Sequence, residues 1–462
     1  MVKRARANPA LEEAIRIGRE LDLPVVVYEG LNHDYPEANA RIHRFILECA
    51  RDTASALHER GLRYVFDLRR GEADKPRKSA ALMMREAAVA VVDDFPSFIL
   101  PAMRRRALQL TEDAQTPVLA IDANGVVPLA EIPGQEFAAR TIRPKLHRLM
   151  ASYLHPVEER APHRDSRRLR TPVSGIEAKL RGASDETLKR LVDACDIDHE
   201  VRPSRRYRGG RAAGLARLER FVRHGLPRYA SEARIPGAGV ESGLSPYLHF
   251  GCLAPQEIAL RVLYDEAAGV ENIDAFLEQL IVRRELSYNF CWYNPRHDRL
   301  TETPPWAKET MAAHRYDPRE QVYRRADLEA ARTDDPVWNA AQRELVATGT
   351  FHNYMRMLWG KNIIRWTLSY DYARRLMIAF HHRYALDGRN PNTYANILWC
   401  FGLHDRPFAE RPVLGKLRPL TSRSTERKFD LGPYFEQVEA WDGDREMPLD
   451  AENLRSPLDG GG

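Results

Sequence analysis

With 462 residues, 44% of them hydrophobic, the chain can build the cores of two or three domains. No apolar run approaches the ~18 residues of a membrane span, and the basic start Met1-Val-Lys-Arg-Ala-Arg6 leads into no apolar signal segment. Cys49, Cys195, Cys252, Cys291 and Cys400 form no CxxC pair, which argues against a metal centre or disulfide scaffold and for a reducing, cytoplasmic setting; a net charge of +5 only hints at an anionic partner.

The first 155 residues alternate helix and strand. An amphipathic helix over Pro9–Leu21 precedes the apolar run Pro24–Tyr28, and a long helix follows from Ala38 to His58. Then come the strand Tyr64–Phe66, a helix near Ser79–Ala88, the strand Val89–Val92, a helix near Phe98–Leu110 and the strand Pro117–Ile121. Short β-rich runs separated by helices imply a parallel sheet covered on both faces. Neither GxGxxG nor GxxxxGK(S/T) occurs, so neither a dinucleotide fingerprint nor a P-loop is supported.

From residue 156 to 211 the chain is polar, proline-dotted and arginine-rich, with one helical patch near Asp185–Ala194, which marks an interdomain connection. Its runs Arg164–Arg170 and Arg202–Arg211 either follow a phosphate backbone or belong to a solvated linker. Residues 212–446 form the second domain, helical almost to Arg383, and 447–462 have the composition of a disordered tail.

All seven tryptophans fall at or after Trp292. Trp359 and Trp366 lie seven apart in a segment of helical spacing, on one face and ~10 Å apart along the axis. Trp338 lies one helix upstream. Such a triad is either core or a hopping chain for an electron, and spacing alone leaves both open. In Ser242–Gly251, Ser245 suits an N-cap and Pro246 the first helical position, so free N–H groups there can hold a pyrophosphate, although most capped helices bind nothing. Arg283, Arg284 and Glu285 share a helix with Leu280, Ile281 and Leu286 and are costly to bury unpaired; an ion-paired structural cluster is the plain reading.

The tracts Asn339-Ala-Ala-Gln342, Met355-Arg-Met-Leu-Trp-Gly-Lys361, Leu386-Asp-Gly-Arg-Asn-Pro-Asn392, Gly402-Leu-His-Asp405, Glu410-Arg-Pro412 and Gly415-Lys416 closely resemble the class II cyclobutane pyrimidine dimer photolyases, light-driven flavoproteins of DNA repair. The resemblance covers residues 9 to 440 and is dense only after about 225. It implies an α/β antenna-type domain over 1–155 and an all-helical FAD domain over 212–446. It sets Tyr229, Ser242, Gly243, Leu244 and Ser245 at the FAD diphosphate, with Arg284 and Asn289 as further cofactor contacts. Arg356 and Asp387 match an ion pair beside the isoalloxazine, and His381 stands where the family usually has asparagine near flavin N5. Trp359 would be the proximal member of the chain that reloads the flavin, with Trp338 and the distal Trp366 behind it. Gln279, Arg283, Met357, Trp399, Arg406 and Arg418 match positions at the lesion and the DNA.

The match fails in places. Gln279 replaces a glutamate, His381 the asparagine, Phe408 a tryptophan and Ala233-Arg234 an Arg-Asn pair, while Leu414 and Pro419 alter the tract around Gly415. Photolyase-like chains carry a strand before the segment matching Ala5–Leu11, so the sheet is expected to lack its first strand or to start at Pro24. What the resemblance implies is a monomeric cytoplasmic lyase acting on dimer-containing DNA, with reduced FAD as cofactor, no metal and no assignable antenna pigment. The alternatives are a cryptochrome-like photoreceptor without repair, favoured by Gln279 and His381, and a colourless DNA-binding scaffold, which the intact tryptophan triad speaks against.

Overall fold

A computed structural model describes residues 2–74, 78–112 and 116–442; the expected tail and residues 443–446 lie outside them. Helix α1 (Pro9–Glu20) starts where the Asn8 side chain accepts from Leu11 N and Pro9 enters the first turn, and it buries Leu11 and Ile15. Strand β1 (Val26–Leu31) leads to α2 (Ala40–Glu59), capped by Asn39 through Ile42 N and returning to β2 (Arg63–Leu68). The helix therefore starts two residues later than periodicity indicates, because Asn39 takes the cap. After α3 (Ser79–Arg85), β3 (Ala90–Asp93), α4 (Leu100–Glu112) and β4 (Val118–Ile121) follow.

The strands run parallel, as expected of helix crossovers. They do not form one ladder: β1 pairs with β2, Val26 opposite Arg63, and β3 pairs with β4, Ala90 opposite Val118. Among the described residues these are two separate sheets, and no strand precedes α1. The first residues tie the two pairs together. Lys3 is ion-paired with Glu29 of β1, Val2 N donates to Asp93 at the end of β3 (2.9 Å), and Arg4 donates to Ala123 O beyond β4 (2.9 Å).

The connection is packed rather than loose. Ile176 N donates to Phe66 O (2.8 Å), laying the segment along β2. Gly175 permits this, since a Cβ there would sit 2.6 Å from Phe66 N. The segment contains α5 (Glu177–Leu180) and α6 (Asp185–Asp193), the second of which is the expected helical patch. Many of its arginines are spent internally: Arg164 binds Asp22, Arg167 binds Asp165, and Arg211 forms a fork on Glu257. Pairing of this kind favours the structural reading of these runs over a phosphate track.

Beyond residue 211 the described chain is built of helices, the last reaching Asp442, with a non-helical stretch between Cys400 and Ser422. One cluster, around Trp338, Leu345, Leu358, Trp359, Ile363 and Phe380, forms the core of this half. Arg41 of α2 locks the two halves together: its buried guanidinium donates to Leu345 O (3.3 Å) and Tyr384 O (2.8 Å) at the C-terminal ends of two helices, Pro336–Thr348 and Tyr370–Tyr384. Positive charge there complements the unsatisfied carbonyls.

Candidate active site

Asp335 caps the helix Pro336–Thr348 by accepting from Trp338 N (2.9 Å), which sets Trp338 one turn inside against the next helix, Asn353–Arg365. Trp338 and Trp359 stack at 6.3 Å with their planes 3° apart, and Trp366 meets Trp338 edge-on at 5.4 Å. The two indoles seven residues apart are thus joined through the third. Trp338 Nε1 donates to Trp359 O (3.1 Å) and Trp359 Nε1 to Gln342 Oε1 (2.8 Å). Sequence reasoning missed the last link: Tyr323 stands edge-on to Trp366 at 5.1 Å, and its hydroxyl donates to Asp334 (3.0 Å) near the surface. Only long-range packing brings it there.

The inner end of this line opens on a cavity lined by Arg356, Met357, Trp359, Gly360, Met377, His381, Asn396, Ile397 and Cys400. Arg356 binds Asp387 through one nitrogen (3.2 and 3.3 Å), both side chains about 9% exposed. Burial opposes the Asp387 charge, but the Arg356 guanidinium and the Ser245 hydroxyl hold this carboxyl below its ordinary range. His381 is buried, edge-on to Trp359 at 5.3 Å, and its Nδ1 donates to Met377 O (2.8 Å). Burial, reinforced by the Arg356 charge, pushes its pKa down to about 4. The ring is therefore neutral at pH 7 with the proton on Nδ1, leaving Nε2 as an acceptor. That Nε2 and Arg356 Nε are buried without a protein partner.

The loop before the cavity departs from expectation at one position. Ser245 is the first residue of the helix Ser245–His249, Leu244 occupies the cap, and the Ser245 hydroxyl turns to Asp387. Ser242 and Gly243 are partly exposed, and Leu244 is buried. Gly243 takes φ +63°, in the left-handed region, against the Tyr207 hydroxyl. Tyr229 packs edge-on against Phe221 and Phe276 at 5.7 and 5.4 Å, and burial followed by the Glu241 charge pushes its pKa up to about 12.

Of two expected cofactor contacts, Asn289 is spent elsewhere. Asn289 accepts from Glu136 N (2.8 Å) and donates to Gly134 O (3.1 Å), and Arg284 donates to Tyr288 Oη (2.9 Å) while covering its ring at 4.2 Å. Asn289 thus points toward the N-terminal half, while Arg284 bonds within its own helix and keeps a buried Nη1 without a protein partner. The helix Arg284–Tyr293 is buried on nearly every side, so periodicity could not tell which face meets the cavity. Its neighbour Glu285, read from sequence as part of a structural cluster, accepts from Val126 N (2.7 Å) and Val127 N (3.3 Å).

Met357 lines the cavity, while Arg283, paired with Glu278, and Gln279 lie exposed on the π-helical turn Glu278–Arg283 that precedes the helix Arg284–Tyr293. Gln279 therefore does not line the cavity. Trp399 belongs to a column of alternating cations and rings. Lys361 lies 5.8 Å and Arg418 5.3 Å from its centroid; Arg418 also covers Phe408 at 4.4 Å, and Arg406 covers Phe408 at 5.0 Å. Arg418 is held bidentately by Asp405 (2.8 and 2.7 Å). Among the described residues no group of His, Cys, Asp and Glu could hold a metal ion, and no helix is long and apolar enough to cross a membrane.

Residues 3–163 match the DNA photolyase family model. Over 436 residues the chain is 35% identical to the deoxyribodipyrimidine photo-lyase of Methanothermobacter thermautotrophicus, covering 94% of this chain and 92% of that relative. The deoxyribodipyrimidine photo-lyase of Arabidopsis thaliana is 33% identical over 454 residues, with 95% and 87% covered. A crystal structure of the Synechocystis sp. PCC6803 cryptochrome superposes with a TM-score of 0.72 over 95% of this chain and 86% of that one, at 14% identity, a likeness of fold alone.

Proposed function

This chain belongs to the deoxyribodipyrimidine photo-lyase family, and from that premise we propose that it is a light-driven DNA-repair lyase of the class II type, acting on cyclobutane pyrimidine dimers with reduced FAD. The observation that carries the reading is the meeting, at one cavity, of the Arg356–Asp387 pair and the inner end of the tryptophan line. The cavity lining has the chemistry a flavin ring would need. Its walls are apolar at Met357, Met377 and Ile397, and the two unpartnered buried nitrogens, Arg356 Nε and His381 Nε2, offer a donor and an acceptor to a heteroaromatic edge.

When bound and reduced, FAD supplies the photoexcited electron that splits the cyclobutane ring and takes it back, so the reaction is redox-neutral. Arg356 keeps positive charge at the cavity, and Asp387 holds that guanidinium in place. Met357, Met377 and Ile397 exclude water from the wall. With FAD held there, Trp359 would be the indole placed to give it an electron, and Trp338 and Trp366 would be placed to refill Trp359. Gly243 and Ser242, with Tyr229 beside them, hold the diphosphate end. Trp399 offers a stacking face to the extruded dimer, and Arg406 and Arg283 meet phosphates. The protein works as a monomer on cytoplasmic DNA.

The test is anaerobic illumination of a thymine-dimer oligonucleotide with chemically reduced protein, counting intact dimers by chromatography. Loss of dimers in light and none in the dark supports the lyase. Normal photoreduction of the flavin with persistent dimers would contradict repair and leave a photoreceptor.

A further inference from the structure

Two indoles adjoin the cavity, and their surroundings are electrostatically opposite. Trp359 lines it, and Trp399 lies within one helical turn of Asn396, Ile397 and Cys400, which also line it. Trp359 and its partner Trp338 each donate the indole N–H to a carbonyl oxygen, and the two rings stack on one another. A carbonyl on the N–H stabilises an indole that has lost an electron, because that N–H then carries more positive charge. Trp399 instead has the Lys361 ammonium and the Arg418 guanidinium against its ring. A cation over the π face is attracted to the intact ring and repelled by the same ring once oxidised.

Lys361 is the more effective of the two. Its side chain is fully buried, its ammonium donates to Cys400 O, and among the described residues no carboxylate is ion-paired with it. Arg418 is half-exposed and offset by Asp405. Burying this ammonium is costly: burial pushes its pKa down to about 8 although the Cys400 thiol and the Asp405 carboxylate act the other way, and it still carries its charge at pH 7.

We propose that Lys361, seconded by Arg418, holds the Trp399 indole against oxidation, so that light draws an electron into the cavity from Trp359 and leaves Trp399 intact as a stacking surface. The inference rests on the light-driven reading above. One electron passes from Trp359 to the photoexcited flavin. The vacancy moves to Trp338 and then Trp366, and a solvent thiol acting as one-electron reductant fills it. Lys361 takes no part in the transfer; it is a positioning residue that decides which indole gives.

The flavin-loaded full chain carrying Trp359→Phe provides the test, read as the rate at which oxidised-flavin absorbance bleaches under blue light with thiol present. This background is expected to bleach slowly. Adding Lys361→Met should accelerate bleaching roughly tenfold or more as Trp399 becomes available. A further Trp399→Phe should abolish the gain, and Lys361→Arg in its stead should give none. Arg418→Met, at a part-exposed position, tests the same idea with a smaller expected gain should Lys361→Met fail to fold. Folded variants with native flavin content and no faster bleaching would overturn the proposal. A wild-type holoprotein that does not photoreduce at all would instead sink the light-driven reading.

Discussion

Trp359 spends its N–H on Gln342 and its face on Trp338, so replacing it breaks the line at its inner end. Trp359→Phe keeps the volume and the ring, and is expected to leave repair by chemically reduced protein near wild type while slowing photoreduction of oxidised protein by roughly tenfold or more. Comparing the two assays on one preparation checks this, and equal loss in both would count against a reloading role. Asp387→Asn removes one half of a buried ion pair and strands the Arg356 charge. Its expected cost is about 3–5 kcal/mol in urea unfolding, with loss of bound flavin. At this scale motifs led to several residues that the structure brings together: Trp359, Arg356 and His381 line one cavity, Asp387 pairs with Arg356, and Trp338 and Trp366 continue outward from Trp359, whereas Gln279 and Asn289 do not reach it. Gln342, Lys361 and Tyr323 were not singled out, because their roles depend on neighbours 17 to 43 positions away that no local pattern brings together.

The helix Arg284–Tyr293 shows what periodicity cannot reach. With both faces buried it has no polar side to orient it, and Asn289, expected at the cofactor, ties it to the N-terminal half. Glu285 makes the same tie through a carboxyl that burial pushes up to about 8 from an ordinary 4.5, despite the Val126 and Val127 N–H groups. Below about pH 4.5 folded and unfolded chains both hold this proton. Between there and about 8 only the folded chain keeps it, so this group's stabilising contribution is lost as pH rises, with no further change above. Glu285→Gln retains an oxygen for both N–H groups without the charge. Its Tm is expected to exceed that of wild type increasingly from pH 5 to 8, measured by thermal melts across that range; parallel curves would refute the assignment. The N-terminal strands were legible as short β-rich runs, but their grouping into two pairs was not, since register is set by partners far along the chain.

For the molecule as a whole, an α/β half and a helical half follow from the change in hydrophobic period near residue 211, and the structure has both. The arginine-rich connection was the ambiguous region; with Arg164, Arg167 and Arg211 paired within the protein, the exposed Arg406 over Phe408 is the better candidate for DNA. Binding to dimer-bearing duplex should weaken linearly with the logarithm of salt concentration. Arg406→Ala should reduce that slope by about 1, one phosphate contact. An unchanged slope in a salt titration would remove Arg406 from the interface.

A lyase of the proposed kind lends an electron and recovers it. The most direct measurement is the number of dimers repaired per flavin, under continuous light and without oxygen, after the chemical reductant has been removed. Many dimers per flavin, none of them lost in darkness, is the predicted result. Repair that halts at one dimer per flavin would mean that the electron is consumed, and would contradict the account.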